Sequence, residues 1–275
     1  MDFDLRTCDS SYFFLLEFLN MESEEYIMDY NVECNGNFEV FWEKHFKEID
    51  DVDISDLRIM GFHVVGSLDK CVEIRKNGLK NLKKVLSQET MLNRVLRDNG
   101  VIIDVKSKKL YYNGNLFDID YEKYRGRYDL NEQEQNIEGV AHRIYYDFCV
   151  DGFMVSDDVF NYGTDIHKRP EFILNLVKLF PSLKSMEDRW CKQSTSYRVD
   201  FYAYFDQLQR FTFDLDEESD PNYNNWTELT DEQKLKKWML SHAIDRINSD
   251  LGEVYLYVKD DLDIPPEQIL NCIPI

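Results

Sequence analysis

Alternation of apolar and polar residues is clearest between Leu57 and Leu79, where a strand pattern gives way to a helical one. Residues 57–64 alternate between two faces, which predicts a strand that carries His63 on one of them. Ser67 and Asp69 are suitable caps for the following helix, and an Asn-Gly pair ends it. A lone histidine on an apolar strand is also typical of a hydrogen-bonded core residue, so His63 needs a second feature to become a functional candidate.

The same patterns predict the main elements in the rest of the chain. Helical spacing indicates three helices, at residues 82–96, 171–179 and 230–251. Thr230 and Gln233 form a capping box at the start of the last one. Alternation predicts a hairpin with a second turn at residues 101–120. It also predicts a pair of aromatic-rich strands, at residues 197–205 and 208–215. The acidic, Asn-rich residues 214–225 predict a mobile loop.

The chain is strongly acidic, with a formal net charge of −21 over 275 residues, while 43% of its residues are hydrophobic. That hydrophobic content is sufficient for a large core. The charge argues against nonspecific binding of nucleic-acid phosphates as the main activity, because such binding requires many Lys and Arg contacts. A local basic groove remains compatible with action on nucleic acid.

Cysteine usage and the absence of targeting patterns predict a reduced, cytoplasmic protein. The six cysteines stand singly, without a CxxC pair or a histidine at ligand spacing, so we expect no metal site. The acidic N-terminus lacks the pattern of a secretory signal. No run of about 18 or more apolar residues predicts a membrane span, and we therefore expect no membrane partner.

Two polar segments are candidates for ligand binding. Arg125 and Arg127 alternate with tyrosines in a chain that has few basic residues, a pattern that can hold a phosphate or stack a base. The loop after residue 159 offers four further side chains: Tyr162, Asp165, His167 and Arg169. Both segments are also compatible with ordinary surface loops, because turns require polar residues for local reasons.

Three regions of the chain together resemble the ADP-ribosyltransferase fold, notably its DarT-type branch. Phe62–Ser67 and Ile74–Leu79 are similar to the family's histidine strand and the helix after it. Gly152–Asp158 is similar to the second strand, and Gly252–Val258 with the exit Asp263–Ile269 is similar to the glutamate strand. The resemblance implies an α+β fold with a split β-sheet core and flanking helices. It implies a domain over residues 57–275, with insertions near 99–143 and 180–230, preceded by a mostly helical extension, residues 1–56.

The resemblance assigns roles to individual residues. Glu253 matches the family's catalytic glutamate, which stabilises the positive charge that develops on ribose. Five residues are expected to contact NAD: His63, Val64, Ser67, Ser156 and Tyr162. The two polar segments, independently of the resemblance, supply four candidates for binding the acceptor substrate: Arg125, Arg127, His167 and Arg169. Met154 stands where the family often has an aromatic residue, so Tyr162 or Tyr112 is the candidate ring for stacking nicotinamide.

The function implied by the resemblance is NAD-dependent transfer of ADP-ribose by a toxin-like or defence-related enzyme. The acceptor is a nucleic-acid base, in single-stranded rather than duplex nucleic acid, or a protein side chain. A neutralising antitoxin or chaperone is a further partner left open. Two alternatives stay open beside this function: a catalytically silent interaction protein on the same fold, and an NAD glycohydrolase in which water replaces the acceptor.

Overall fold

Helices and strands are mixed along the chain, and the predicted α+β class is confirmed. The computed structural model describes residues 1–215, 228–248 and 251–275. Most of the loop predicted at 214–225, and part of the insertion predicted near 180–230, lie outside these residues. Among the described residues, no helix has the length and apolar character required to cross a membrane.

The elements of the described residues are numbered in chain order. The strands are β1 (Asp2–Phe3), β2 (Arg58–Ser67), β3 (Val101–Asp104), β4 (Lys109–Tyr112), β5 (Asn115–Asp118), β6 (Asp151–Val155), β7 (Thr195–Tyr204), β8 (Val254–Tyr257) and β9 (Ile269–Pro274). The helices are α1 (Cys8–Leu19), α2 (Ser23–Tyr26), α3 (Phe38–Asp50), α4 (Val72–Asn77), α5 (Leu82–Ser87), α6 (Met91–Asp98), α7 (Glu132–Tyr145), α8 (Glu171–Leu179), α9 (Lys184–Gln193) and α10 (Asp231–Ile247). A π-helical segment, Ile27–Glu33, follows α2.

The strands form two sheets. The larger has the order β8-β6-β2-β7-β9, with β1 paired in parallel to the start of β2. β7 and β9 are antiparallel, from the pair Tyr197 and Pro274 to the pair Phe201 and Ile269. β3, β4 and β5 form a separate antiparallel sheet. The turn between β4 and β5 is the predicted Asn113-Gly114, with both residues at positive φ, so the hairpin prediction is confirmed.

The chain divides into two compact units. The first consists of Met1–Gly61, Gly152–Asp157 and Tyr202–Tyr257. Residues 1–56, predicted as an N-terminal extension, belong to this unit together with α10. Its core is aromatic: the ring of the fully buried Phe3 lies edge-on to Phe14 at 4.9 Å and to Trp238 at 5.9 Å. Burial of three large rings stabilises the N-terminal segment within this unit.

The second unit has its own hydrophobic core. It consists of Phe62–Asp151, Asp158–Phe201 and Val258–Ile275. Val140 and Ile144, four residues apart on α7, and Ile173 and Leu176, three apart on α8, are fully buried in one cluster with Leu110 of β4. These spacings place the apolar side chains of each helix on one face, which explains why α7 and α8 form where they do.

The stretch from Leu57 to Leu79 forms the predicted strand, turn and helix. β2 ends at Ser67, whose Oγ accepts from the backbone amide of Cys71 at 2.8 Å. The Asp69 carboxylate accepts from the backbone amide of Glu73 at 2.8 Å, so both predicted caps act on the turn into α4. Gly78 ends α4 at φ +76, where an added Cβ would lie 2.0 Å from the carbonyl oxygen of Ile264. Only glycine satisfies both conditions.

Two predicted elements differ from the structure. The helix predicted at 82–96 is divided into α5 and α6, because Gln88 is extended and the Thr90 side chain caps α6 by accepting from a backbone amide. The strand predicted at 208–215 is wrong. Arg210–Phe213 forms a 3-10 turn instead, and β7 pairs with β9. Aromatic alternation identified β7 but could not identify its partner, because pairing is set by the tertiary structure.

Candidate active site

Glu253 lies immediately before β8, with a hydroxyl group on each of its carboxylate oxygens. Ser156 donates from Oγ to Oε1 at 2.7 Å, and Tyr255 donates from its hydroxyl to Oε2 at 2.8 Å. Ser156 directly follows β6, the neighbour of β8 in the sheet, which explains why two residues 97 positions apart are in contact. The exposed carboxylate is therefore held in one orientation by two short hydrogen bonds.

Tyr255 was not among the predicted site residues. It stands two positions after Glu253, and residues at that spacing on an extended chain point to the same side. Its ring packs on the buried Phe153 of β6 with centroids 5.4 Å apart, which fixes the hydroxyl against the carboxylate. The two-residue spacing from a catalytic candidate was the sequence signal that could have identified it.

The surroundings of Glu253 determine what its carboxylate can do. Over residues 1–215, 228–248 and 251–275, no Lys or Arg forms a salt bridge with Glu253. An ionised carboxylate has about four acceptor positions, of which the two hydroxyls occupy two. The remaining positions can accept from a hydroxyl of a bound sugar, and the uncompensated negative charge can stabilise a nearby positive charge.

His63 lies in the second unit, on β2, with its ring fixed by a backbone group. The Nδ1 atom is 2.8 Å from the carbonyl oxygen of Asp151. Because a carbonyl can only accept, Nδ1 carries the proton, and Nε2 of the neutral ring is an acceptor. The Asp151 carboxylate lies 3.8 Å from the same nitrogen. In the neutral form of this half-buried ring Nε2 can accept from a hydroxyl group, and within the described residues no hydrogen bond to Nε2 is present.

Two other residues predicted to contact NAD, Val64 and Ser67, lie on β2 and have structural roles there. Val64 is buried on the face opposite His63, so its side chain belongs to the core and only its backbone can contact a ligand. The hydroxyl of Ser67 donates to Asp69 at 2.8 Å while it accepts from Cys71. Ser67 therefore maintains the turn that follows the strand. Tyr162 is half-buried, and its carbonyl oxygen accepts from the amide of Asp165 at 3.1 Å.

The loop before α8 buries two of its predicted substrate-binding residues. The Arg169 guanidinium forms a buried ion pair with Glu187 of α9 and also donates to the carbonyl oxygen of Thr164 at 2.6 Å. These contacts argue against the predicted role of Arg169 in binding substrate, because the side chain is buried and its Nε and Nη1 donors are used inside the protein. His167 is buried against the Phe160 ring at 5.1 Å. Burial lowers the pKa of His167, and the adjacent Lys168 lowers it further, which favours a neutral ring.

The remaining substrate candidates lie on the surface. Arg127 forms a two-point pair with Asp129, with Nη2 and Oδ2 2.8 Å apart. Arg125 lies 3.9 Å from Glu122. Exposed pairs of this kind are screened by solvent and can exchange for a phosphate, so a binding role for these two arginines stays a prediction. Tyr112 stacks on the Phe180 ring at 4.3 Å within the second unit, which accounts for its ring by packing.

No metal-binding arrangement is present in the described part of the chain, where no three His, Cys, Asp or Glu side chains are grouped to hold an ion. Comparison with known proteins adds no relative, because no protein-family model, curated protein or solved structure matches the chain. The hydrogen bond of Ser156 to Glu253 joins two of the predicted site residues within the described part of the chain.

Proposed function

We propose that the protein is an NAD-dependent ADP-ribosyltransferase in which Glu253 is the catalytic carboxylate. The observation that carries the proposal is the oriented Glu253 carboxylate, with Ser156 on one oxygen and Tyr255 on the other. Both Ser156 and Glu253 stand at positions that resemble motif positions of the family. Two motif positions 97 residues apart are thus joined by a direct hydrogen bond.

The chemistry of the transfer explains why a carboxylate is required. The bond between the ribose anomeric carbon and the nicotinamide nitrogen breaks, and nicotinamide leaves with the bonding electrons while positive charge develops on the sugar. The Glu253 carboxylate stabilises that charge and accepts from a ribose hydroxyl. A hydroxyl or amine of the acceptor then attacks the anomeric carbon and loses its proton, for which the same carboxylate is a suitable base.

His63 has the donor and acceptor arrangement that the ribose of NAD would need. Its Nδ1 proton is used by the Asp151 carbonyl, which leaves Nε2 to accept from a ribose hydroxyl. The expected contribution of His63 is positioning, not proton transfer. The order of strands is a further support, because the three strands of the resemblance, β2, β6 and β8, are consecutive neighbours in the sheet.

The acceptor proposed is a single-stranded nucleic-acid base or a protein side chain. The net charge of −21 disfavours long duplex contacts and favours an acceptor that enters the site as one exposed group. Arg125 and Arg127, which pair with the exposed acidic residues Glu122 and Asp129, are the proposed contacts for an acceptor phosphate. The proposed setting is a cytoplasmic toxin or defence enzyme.

Release of nicotinamide from NAD tests the proposal. Purified wild-type protein is compared with Glu253→Gln, which keeps the shape of the side chain and removes its charge. We expect the variant to lose about 10²-fold or more in rate, the size of effect seen when a charge-stabilising group is removed. Glu17→Gln is the matched control, because Glu17 is an exposed glutamate on α1 of the same unit. The control should keep the wild-type rate.

Addition of cell lysate separates the three functions. Release that requires lysate, with ADP-ribose becoming attached to a macromolecule, supports a transferase. Release without any acceptor, and without attachment, would indicate an NAD glycohydrolase. Absence of release under both conditions from protein with a cooperative unfolding transition would contradict the enzymatic proposal and favour an interaction protein.

A further inference from the structure

A half-buried arginine near the end of α10 connects the N-terminal segment to the residue next to Ser156. The side chain of Arg246 is 12% exposed. Its Nε donates to the carbonyl oxygen of Leu5 at 3.1 Å, and Nη2 lies 3.4 Å from that of Arg6. Nη2 and Nη1 reach the two carboxylate oxygens of Asp157 at 3.1 and 3.4 Å. All these residues belong to the first unit.

The geometry of this contact requires a guanidinium group. One planar fork binds two backbone carbonyls and both oxygens of a carboxylate at the same time, which a lysine ammonium cannot do with fixed directions. The position in the last turn of α10 adds a favourable interaction with the helix dipole. Arg246 therefore holds three chain segments together: the residues before α1, the residue after Ser156, and the end of α10.

The contact with Asp157 connects Arg246 to the proposed catalytic carboxylate through two adjacent residues, Asp157 and Ser156. Asp157 follows Ser156, and the Ser156 hydroxyl donates to Glu253 Oε1 at 2.7 Å. Ser156 directly follows the last residue of β6. The Asp157 side chain is 76% exposed, so the two-point contact with Arg246 is what can orient it, and through the adjacent backbone it can keep the Ser156 hydroxyl directed at Glu253.

We propose that Arg246 is a positioning residue for the Ser156 and Glu253 pair, and that the N-terminal residues Leu5 and Arg6 are part of this support. The inference rests on the proposed function for its catalytic consequence. Arg246 contacts neither the reacting atoms nor Glu253 itself, so its loss should disturb the orientation of the carboxylate and leave the contacts that hold NAD. A misplacement of about 1 Å can cost about 10²-fold in rate.

The experiment compares Arg246→Lys, Asp157→Ala and the double variant in nicotinamide release, with kcat and KM for NAD measured separately. We expect Arg246→Lys to lower kcat about 10- to 100-fold, with KM within about twofold of wild type. The double variant should be no slower than the slower of the two single variants, because both substitutions break one connection. Arg210→Lys is the matched control, since Arg210 also binds a carboxylate, that of Asp231 at 2.6 Å, and a backbone carbonyl.

A crystal structure of Arg246→Lys gives a second readout that does not depend on activity. We expect the Ser156 hydroxyl to leave Glu253, whereas Arg210→Lys keeps the 2.7 Å contact. Retention of that contact in Arg246→Lys would overturn the inference whether or not the wild type consumes NAD. A displaced Ser156 with unchanged kcat would overturn it as well. An inactive wild type with a displaced Ser156 in the variant would leave the positioning role intact and refute the proposed function.

Discussion

The buried ion pair of Arg169 and Glu187 gives the sharpest prediction of stability. Both side chains are almost fully enclosed, with 7% and 4% exposed. Glu187 also accepts from Lys184 at 2.6 Å, and that lysine is 60% exposed. The substitution Glu187→Gln keeps the shape of the side chain but leaves the guanidinium without its buried counter-charge.

The magnitude follows from the burial of the two groups. Removing one partner of a buried pair costs about 3–5 kcal/mol, because the remaining charge is desolvated without compensation. Removing the exposed partner costs far less, because solvent screens its charge. We therefore expect Glu187→Gln to lower the free energy of unfolding by about 3–5 kcal/mol, and Lys184→Gln to lower it much less.

Urea unfolding followed by circular dichroism measures the difference, and its pH dependence gives a second test. Burial raises the pKa of Glu187, but the hydrogen bonds from Lys184 and Arg169 lower it further, so the net pKa is below its usual value. A lowered pKa contributes stability above the unfolded value of about 4.3 and loses it as the pH falls through the folded value. The difference between wild type and Glu187→Gln should therefore shrink in acid. Equal urea midpoints for Glu187→Gln and Lys184→Gln, or a difference that is independent of pH, would refute the reasoning.

Three further substitutions test the stability of the fold: two at glycines and one at the carboxylate of Asp29. Gly66→Ala would place a methyl carbon 2.1 Å from a backbone carbonyl oxygen and should cost about 1–3 kcal/mol in thermal unfolding. Gly139→Ala, on α7 with nothing within 4 Å, should stabilise by about 0.5–1 kcal/mol. Asp29→Asn removes the carboxylate that binds Lys44 at 2.6 Å and His45 at 2.7 Å, and should lower stability by about 1–3 kcal/mol. Burial raises the pKa of Asp29, but the hydrogen bonds from Lys44 and His45 lower it by more, so the net pKa is below its usual value. The stability difference between wild type and Asp29→Asn should therefore be present at neutral pH and diminish in acid. A urea midpoint that the substitution leaves unchanged at pH 7 would contradict this prediction.

The sequence by itself determined the elements that depend on interactions between neighbouring residues. The capping box of Thr230 and Gln233 joins residues three apart, and α10 begins directly after Thr230 as predicted. The turn at Asn113-Gly114 requires positive φ values that these residues adopt readily. Alternation along β2 correctly separated His63 from the buried Val64. Each of these features depends on a few neighbouring residues, which is why the pattern was sufficient.

The tertiary structure alone decided which distant groups meet. The contact of Ser156 with Glu253 depends on the pairing order of the sheet, and no spacing along the chain encodes that order. The buried partner of Arg169 is Glu187, so a residue that looked available for substrate is held in an ion pair. Arg246 carried no motif, and its importance follows from three segments that fold onto one guanidinium. Local propensity fixes helices, turns and strand faces, whereas the direction and partners of a polar side chain are fixed by the elements that pack around it.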